Sequence, residues 1–302
     1  IRTYKVIPLS PHAGVLQWVD NTCPLGEYLS QAHKKYRPQD WPATQCRKMM
    51  SEEHAKAGST AQSKLSVYNL ISQRFQPVFR HFFLERYKDP DTWFERRVRY
   101  SRSVAVSSMI GFVLGIGDRH AQNILIDSTT AETIHIDLGI AFDQGKLLPT
   151  PERVPFRLTR DMVDGMGITG VDGVFRRCCE KTMQVLRDEA DILLAILDVF
   201  RYDPLYHWHI SPLKARKLQN DEAARMVGVL PARAVGVATK AAESSNKEAE
   251  RALAAVRAKF SSDVGVECQV NDLIRMATSP ENLCRLYPGR QRAADYADTV
   301  RD

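Results

Sequence analysis

Four short runs of the chain alternate apolar and polar residues with a period of two, which is typical of half-buried β-strands. RTYKVIPL and GVLQWV are separated by the turn-rich SPHAG and predict a hairpin near the start of the chain. NILID and TIHID flank STTAE and predict a second hairpin near the middle. Both hairpins are short, so strands are the minor part of the predicted fold.

Apolar residues recur at helical spacing through most of the remaining chain. Residues 42–83 predict helices with a break at KAGSTAQSK, and DPDTWFERRVRYSRSVAVSSMIGFVLGI predicts a long, partly buried helix that Gly117 ends. Residues 157–200 predict further helices, and NKEAERALAAVRAKF predicts one exposed helix. Ser279-Pro280 marks the boundary between two short amphipathic helices. The pattern predicts an α+β chain, with a small β-containing piece followed by a mostly helical body.

Composition narrows the functional class only slightly. Of 302 residues, 44% are hydrophobic, which is enough for a sizeable core in one large or two modest domains. A net charge of +6 with interspersed signs indicates a solvated surface or a weak preference for acidic partners, without a recognisable nucleic-acid module. The six cysteines lack metal-site spacing and are predicted to be buried free thiols in a reducing compartment. No apolar run reaches the roughly 20 residues that span a bilayer.

Polar residues suited to catalysis concentrate around the second hairpin, in GIGDRHAQNILIDSTTAETIHIDLG. Asp118 is followed five residues later by Asn123, the separation that protein-kinase catalytic loops place between base and metal ligand. Asp137 follows the second strand in a DLG triplet that corresponds to the kinase DFG. Because the two ends of a hairpin meet, Asn123 and Asp137 are predicted to bind Mg²⁺ together beside Asp118. Gly139 is expected to let the backbone turn after the ligand.

Spacing alone leaves two other interpretations of these residues open. Asp and Asn are common in turns, so the pattern can arise without any catalytic role. His120 and His135, together with Asp118 and Asp137, would suit a transition metal if the loop and the strand converge.

A second motif, GMGITG, matches the dinucleotide-binding fingerprint G-x-G-x-x-G at Gly165, Gly167 and Gly170. The preceding FRLTRDMVD is charged and does not resemble a buried strand, and no βαβ unit follows. These glycines are therefore predicted to shape a turn between helices.

Longer motifs carry a family resemblance. GDRHAQNILI, HIDLGIAFDQGK, PERVPFRLTRDMVDGMGITGVDGVFRRCCEKTM and QVNDLIRMATSPENLCRLYPG resemble the phosphatidylinositol-3-kinase-related protein kinases over nearly the whole chain. The resemblance implies the bilobal, protein-kinase-like fold of that family. The implied domains are the end of the small lobe and the hinge at 1–19, the large lobe at 20–213, a partly mobile regulatory insertion with one exposed helix at 214–265, and a FATC segment at 266–302. The catalytic loop would span 117–124 and the activation loop 137–157.

The resemblance also implies a role for each catalytic position. Asp118 would orient or deprotonate the substrate hydroxyl, and His120 would stabilise charge on the phosphoryl group during transfer. Asn123 and Asp137 would bind Mg²⁺.

An adenine pocket is implied by the run LQWV, which resembles the family's hinge. Trp18 would stack on the base, and the backbones of Gln17 and Val19 would hydrogen-bond its edge. Leu125 and Ile136 would form the floor of the same pocket.

The function that the resemblance implies is a serine/threonine protein kinase that uses ATP and Mg²⁺ and phosphorylates Ser or Thr followed by Gln. It further implies a nuclear homodimer that acts at DNA double-strand breaks and telomeres through a break-sensing complex. The family's Gly-rich phosphate loop and ATP-binding Lys are expected upstream of Ile1. The tail RQRAADYADTVRD departs from the Trp-containing end that is usual in the family.

Two alternatives of other classes compete with this function. A phosphoinositide lipid kinase would share the DRHxxN and DxG chemistry but needs a basic activation loop for its head group. In this chain Lys146 and Arg153 are balanced by Asp143 and Glu152, which favours a protein substrate. A catalytically inactive kinase-fold scaffold is the other alternative, and the presence of all four catalytic and metal-binding residues argues against it.

Overall fold

The strands form two small antiparallel sheets. The computed structural model describes residues 1–10, 13–147, 151–199, 239–260 and 264–285. Its strands are β1 (Val6–Ser10), β2 (Ala13–Leu16), β3 (Thr22–Pro24), β4 (Ile124–Asp127) and β5 (Thr133–His135). β1 pairs with β2, and a three-stranded sheet has the order β3-β4-β5. Both predicted hairpins are confirmed, whereas β3 was not predicted.

Helices make up most of the described chain, which confirms the α+β class. They are α1 (Leu25–Tyr36), α2 (Ala43–Ala55), α3 (Ala61–Arg74), α4 (Arg80–Arg86), α5 (Pro90–Leu114), α6 (Arg160–Gly165), α7 (Val174–Asp188), α8 (Ala190–Val199), α9 (Thr239–Phe260), α10 (Val266–Thr278) and α11 (Pro280–Leu283). A short 3₁₀ helix spans Gln144–Leu147. The break predicted at KAGSTAQSK separates α2 from α3.

The long helix α5 is the centre of the fold, and its ends follow from its sequence. The Asp89 side chain accepts a 2.9 Å hydrogen bond from the Thr92 N–H, and Pro90 occupies the first turn. The helix ends at Gly115, whose φ of 60° is the left-handed conformation that glycine adopts at low cost. The prediction that Gly117 ends this helix is therefore wrong by two residues.

An aromatic cluster joins α5 to the preceding helix α4. Phe79 and Phe83 pack against Tyr100 of α5, Phe82 packs against both phenylalanines, and all four side chains are essentially inaccessible to solvent. The Tyr100 hydroxyl donates to the Met162 carbonyl oxygen at 2.9 Å, which satisfies the polar end of the buried ring. The other side of α5 packs against α7.

Helix α9 corrects the prediction of an exposed helix within the 214–265 insertion. Ala249, Val256 and Phe260 lie on one face and are 0%, 1% and 7% exposed. They are spaced at seven and four residues, so they form a single apolar stripe that packs toward α5 and α8. The Ala-rich sequence conceals this stripe because alanines also occupy the solvent face. Residues 214–238 and 261–263 of the predicted insertion lie outside the described residues.

The remaining sequence predictions about helices and cysteines have clear outcomes. Gly167 and Gly170 have positive φ in the turn between α6 and α7, as predicted, whereas Gly165 is the last residue of α6. Ser279 and Pro280 separate α10 from α11 as predicted. All six cysteines are free, but Cys268 is exposed. None of the described helices combines the length and apolarity that a membrane crossing requires.

Candidate active site

The second hairpin brings its two candidate metal ligands to one end. Ile124 of β4 pairs with His135 of β5, and the Ile136 N–H donates to the Asn123 carbonyl at 3.0 Å. Asn123 therefore lies opposite Ile136, directly beside Asp137. The predicted convergence of Asn123 and Asp137 follows from this register.

The Asn123 side chain is buried, and its orientation is defined by a hydrogen bond. Its amide nitrogen donates to the Asp118 carbonyl at 3.1 Å. This contact leaves the amide oxygen as the atom suited to a hard cation. The same hydrogen bond closes the catalytic loop, since it joins the two residues that the five-residue spacing singled out.

Asp118 has an unusual backbone that is held on both sides. Its φ is 56°, a left-handed conformation that costs a non-glycine residue roughly 1–2 kcal/mol. Its carbonyl accepts from Asn123, and its N–H donates to Glu152 Oε1 at 2.5 Å. Burial raises the pKa of Glu152, and the nearby charge of Asp118 raises it further.

Arg119 fastens the catalytic loop to the segment after β5. Its guanidinium donates to the carbonyls of Gly117 at 2.9 Å and Ile136 at 2.6 Å, and also to the carbonyl of Asp137. The side chain is only 7% exposed. A buried cation that donates to three carbonyls fixes the spacing between the loop and the DLG segment.

Asp137 projects from this scaffold toward solvent. The residue is exposed and has a φ of 55°, so the chain turns at the candidate ligand itself. Gly139 is not among the residues with positive φ, so the left-handed conformation falls on Asp137 itself. Asp tolerates this conformation better than most side chains, which allows the carboxylate to occupy the turn.

The transition-metal interpretation receives no support from the structure. Within the described residues, no three His, Cys, Asp or Glu side chains come together in a way that could hold a metal. The grouping of His120 and His135 with two aspartates is therefore wrong as a metal centre.

The candidate adenine-binding residues come from the segment after the first hairpin and from the second hairpin. Trp18 is 83% exposed, and Val19 is partly buried. The Gln17 N–H donates to the Lys5 carbonyl at 2.8 Å, so a base edge would have to meet the Gln17 carbonyl instead. Leu125 and Ile136 are half-buried. Their roles stay predictions.

A cleft of about 450 Å³ opens beside the catalytic loop. Asp118 and His120 line it, together with Pro151, Glu152 and residues 154–161. Helices α2 and α3 contribute Met50 and Tyr68, and α11 contributes Leu283. The cleft is large enough for an extended peptide side chain next to the candidate base.

Sequence reasoning did not assign roles to Arg119 and Glu152. Arg119 lies inside DRHxxN, and its burial could be inferred only from the carbonyls that surround it in the folded loop. Glu152 lies 34 residues from its partner Asp118, and a single acidic residue in a proline-rich loop gives no periodic signal.

Comparison with known proteins extends this picture. The sequence model described as "Phosphatidylinositol 3- and 4-kinase" matches residues 1–210, and the model described as "FATC domain" matches residues 264–289. The chain is 51% identical over 298 residues to "Serine/threonine-protein kinase tel1" of Schizosaccharomyces pombe and 50% identical over 303 residues to "Serine-protein kinase ATM" of Sus scrofa. Each alignment covers 96% of this chain but 10% of the relative.

Among solved structures, the chain is similar to "Complete CtTel1 dimer with C2 symmetry" with a TM-score of 0.83 and 48% sequence identity. That alignment covers 96% of this chain and 10% of the matched one. The chain thus spans about a tenth of the length of the proteins that it matches.

Proposed function

This chain belongs to the phosphatidylinositol 3- and 4-kinase family, and we propose that it forms the catalytic part of a serine/threonine protein kinase. The observation that carries the proposal is the register of the second hairpin, which brings Asn123 beside Asp137. The Asn123 side chain also donates a hydrogen bond to the Asp118 carbonyl, so all three residues lie together. The named relatives, which are about half identical over 96% of the chain, are protein kinases.

Asp118 and His120 are the residues that act on the transferring group. Asp118 faces the cleft, where its carboxylate accepts the proton of an acceptor hydroxyl or orients that hydroxyl for attack. His120 lines the same cleft and donates a hydrogen bond to the phosphoryl oxygens. Little covalent chemistry is required of the protein, so accurate placement of these side chains determines the rate.

The chain's own oxygen atoms fit a magnesium ion. The Asn123 amide oxygen and the Asp137 carboxylate are hard donors on one end of the hairpin, and the amide is oriented by its bond to Asp118. When bound, Mg²⁺-ATP supplies the phosphoryl group and the cation that screens its charge. Trp18, Leu125 and Ile136 would hold the base, and Gln17 and Val19 would meet its edge.

The acceptor is a protein and not a phosphoinositide. Within the described part of the activation loop, Lys146 lies 3.4 Å from Asp143, a carboxylate that Lys259 also approaches at 3.0 Å. Arg153 is the exposed basic residue on the other side of the loop. A phosphoinositide head group requires a denser cluster of uncompensated cations than these two residues supply.

We propose the biological setting that the family resemblance implies. The protein acts on Ser/Thr-Gln sites in the response to DNA double-strand breaks and in telomere maintenance, and it works in the nucleus. A homodimer is supported by the matched Tel1 structure, which is a dimer with twofold symmetry. Recruitment by a break-sensing complex is proposed from the family resemblance.

The proposal is tested with the full-length protein, Mg²⁺-ATP and two peptides that differ only in Ser-Gln versus Ser-Ala. We expect phosphate transfer to the Ser-Gln peptide, a much weaker reaction with the Ser-Ala peptide, and none with phosphoinositide vesicles. Transfer to the lipid would support the lipid-kinase alternative. Absence of transfer to any acceptor, with nucleotide still bound, would support the scaffold alternative.

A further inference from the structure

Glu152 is a half-buried carboxylate near the end of the activation loop, and it reaches the catalytic loop. Its Oε1 accepts the 2.5 Å hydrogen bond from the Asp118 N–H. Its own N–H donates to the Gly145 carbonyl at 3.1 Å, so the loop folds back on itself before Glu152 points inward. One residue thus links the activation loop to the backbone of the candidate base.

Two glycines make room for this carboxylate. A Cβ added to Gly117 would lie 2.6 Å from Glu152 Oε2, and a Cβ added to Gly145 would overlap the same carboxylate. Gly117 precedes Asp118, and Gly145 accepts the bond from Glu152. A larger side chain at either position would push the carboxylate away from the Asp118 N–H.

The charge of Glu152 is partly compensated by its surroundings. Burial raises the pKa of its carboxyl, whereas the guanidinium groups of Arg119 and Arg157 lower it. An ionised or a protonated carboxyl keeps an oxygen that can accept from an amide. The hydrogen bond from the Asp118 N–H therefore requires an acceptor oxygen and a side chain as long as that of Glu152, and it does not require a negative charge.

Asp118 needs such support because its backbone is in the left-handed region, with a φ of 56°. Conformations of this kind persist only where surrounding contacts define them. The direction of the Cα–Cβ bond depends on φ and ψ, so a return to the right-handed region would redirect the carboxylate away from the cleft. Asn123 holds the carbonyl side of Asp118, and Glu152 holds the amide side.

We propose that Glu152 is a positioning residue, which holds the Asp118 backbone in its left-handed conformation and so makes the placement of the base depend on an ordered activation loop. This inference rests on the proposed kinase function. Glu152 touches no reacting atom in this role. It acts through Asp118, and the acceptor oxygen is the essential feature.

The test uses the full-length protein with Glu152→Met, Glu152→Asp and Glu152→Gln. Met removes the acceptor, Asp keeps the charge but shortens the reach by one methylene, and Gln keeps both the acceptor and the reach. Arg153→Met is the matched control, because Arg153 is the exposed neighbour in the same loop. Three quantities are measured: kcat and KM for the Ser-Gln peptide, the melting temperature, and hydrogen–deuterium exchange of residues 117–123.

We expect Met and Asp to lower kcat about 10- to 100-fold with little change in KM, since small misplacements of a catalytic group have effects of this size. Gln and the Arg153 control should stay within about threefold of wild type. Exchange at 117–123 should accelerate in the Met and Asp variants only. If the Met variant unfolds, the Asp and Gln variants still distinguish the two properties, because Asp keeps the charge but not the side-chain length and Gln keeps the length but not the charge.

The inference is overturned if the Met or Asp variant keeps wild-type kcat and exchange, or if Gln is as impaired as Met. A wild-type protein that phosphorylates no peptide would overturn the proposed function instead. In that case the exchange measurement still decides whether Glu152 holds the Asp118 amide.

Discussion

The side-chain nitrogen of Asn123 lies 3.1 Å from the carbonyl oxygen of Asp118, so the candidate metal ligand and the candidate base are joined by one hydrogen bond. The five-residue spacing of these residues therefore has a structural cause beyond the roles assigned to each side chain. A loop of this length allows the Asn123 side-chain nitrogen to donate to the Asp118 carbonyl while the Asn123 side-chain oxygen stays available to a cation.

Asp137→Ala should abolish phosphate transfer while leaving the fold intact. Asp137 is exposed, so its carboxylate contributes little to folding, and alanine in its left-handed backbone (φ 55°) costs only about 1 kcal/mol. The change removes one of the two candidate ligands for the cation. We expect a loss of several powers of ten in kcat, measured with the Ser-Gln peptide. Asp172→Ala is the control, because its carboxylate is 75% exposed in a surface ion pair with Arg176. Near-normal turnover in the Asp137 variant would show that the ligand assignment is wrong.

Asp118→Asn should lower kcat and leave ATP binding unchanged. Asn is a better replacement than Ala at this position, since Asn tolerates the left-handed backbone that Asp118 adopts. The variant therefore removes the carboxylate with little effect on the loop. We expect a loss of about 10²-fold or more in kcat, with an unchanged dissociation constant for Mg²⁺-ATP. Equal losses in binding and turnover would contradict the role of Asp118 as a base.

The sequence was sufficient to predict the parts of the site that depend on local geometry. A hairpin brings its two ends together whatever surrounds it, so the proximity of Asn123 and Asp137 could be predicted from two alternating runs and a turn. The start of α5 could be predicted because Asp89 and Pro90 favour an N-cap and a first turn. The end of α5 was displaced because Gly115 and Gly117 are both plausible C-terminal glycines.

Features that depend on distant contacts were missed for physical reasons. Glu152 acquires its role only when the loop folds back onto Asp118, 34 residues earlier. Strand β3 has only three residues, too few for a period to be recognised, and it forms because β4 offers an edge. The burial of α9 depends on contacts with α5, in which Lys259 donates to the Phe112 carbonyl and Phe260 joins the hydrophobic core. The sequence of α9 does not indicate these contacts.

Lys259→Ala should destabilise the protein by about 1–3 kcal/mol, the cost of leaving buried carbonyls without their charged donor. The Lys259 ammonium donates to the Phe112 carbonyl at 2.9 Å and lies 3.0 Å from Asp143 Oδ2. It thereby joins α9 to the C-terminus of α5, where a cation is favoured, and to the activation loop. The free energy of unfolding from urea titrations measures this loss.

The control for Lys259 is Lys48→Ala, a lysine that is 76% exposed and 3.8 Å from Glu52. Exposed pairs of this kind contribute at most about 0.5 kcal/mol. Equal effects of the two changes would contradict the bridging role of Lys259.

Gly165→Ala and Gly111→Ala should change stability in opposite directions. A Cβ at Gly165 would overlap the ring of Phe79 and lie 3.0 Å from the Tyr100 ring, and the core around it is closely packed. We expect a loss of about 1–3 kcal/mol there from overpacking. Gly111 lies inside α5 with no atom within 4 Å of an added Cβ, so alanine should gain up to about 1 kcal/mol from helix propensity. Melting temperatures of the two variants, measured side by side, check the signs.

Asp161→Asn should flatten the pH dependence of stability between about pH 4 and pH 6. Burial raises the pKa of the Asp161 carboxyl from 3.8 to about 6, while its Oδ1 accepts a 2.8 Å bond from the Val78 N–H. Between these pH values the unfolded chain loses this proton before the folded protein does. The contribution of Asp161 to stability therefore decreases as pH rises through this range and stays low above it.

Asparagine keeps an acceptor for Val78 but does not titrate. The difference in unfolding free energy between the Asn variant and wild type should therefore grow in favour of the variant, by on the order of 2–3 kcal/mol from pH 4 to pH 7. Urea titrations at several pH values measure it, and other titrating groups cancel because both proteins share them. Parallel curves for the two proteins would show that Asp161 has an ordinary pKa in the folded state. In that case the hydrogen bonds that lower the pKa of Asp161 would fully offset the burial that raises it.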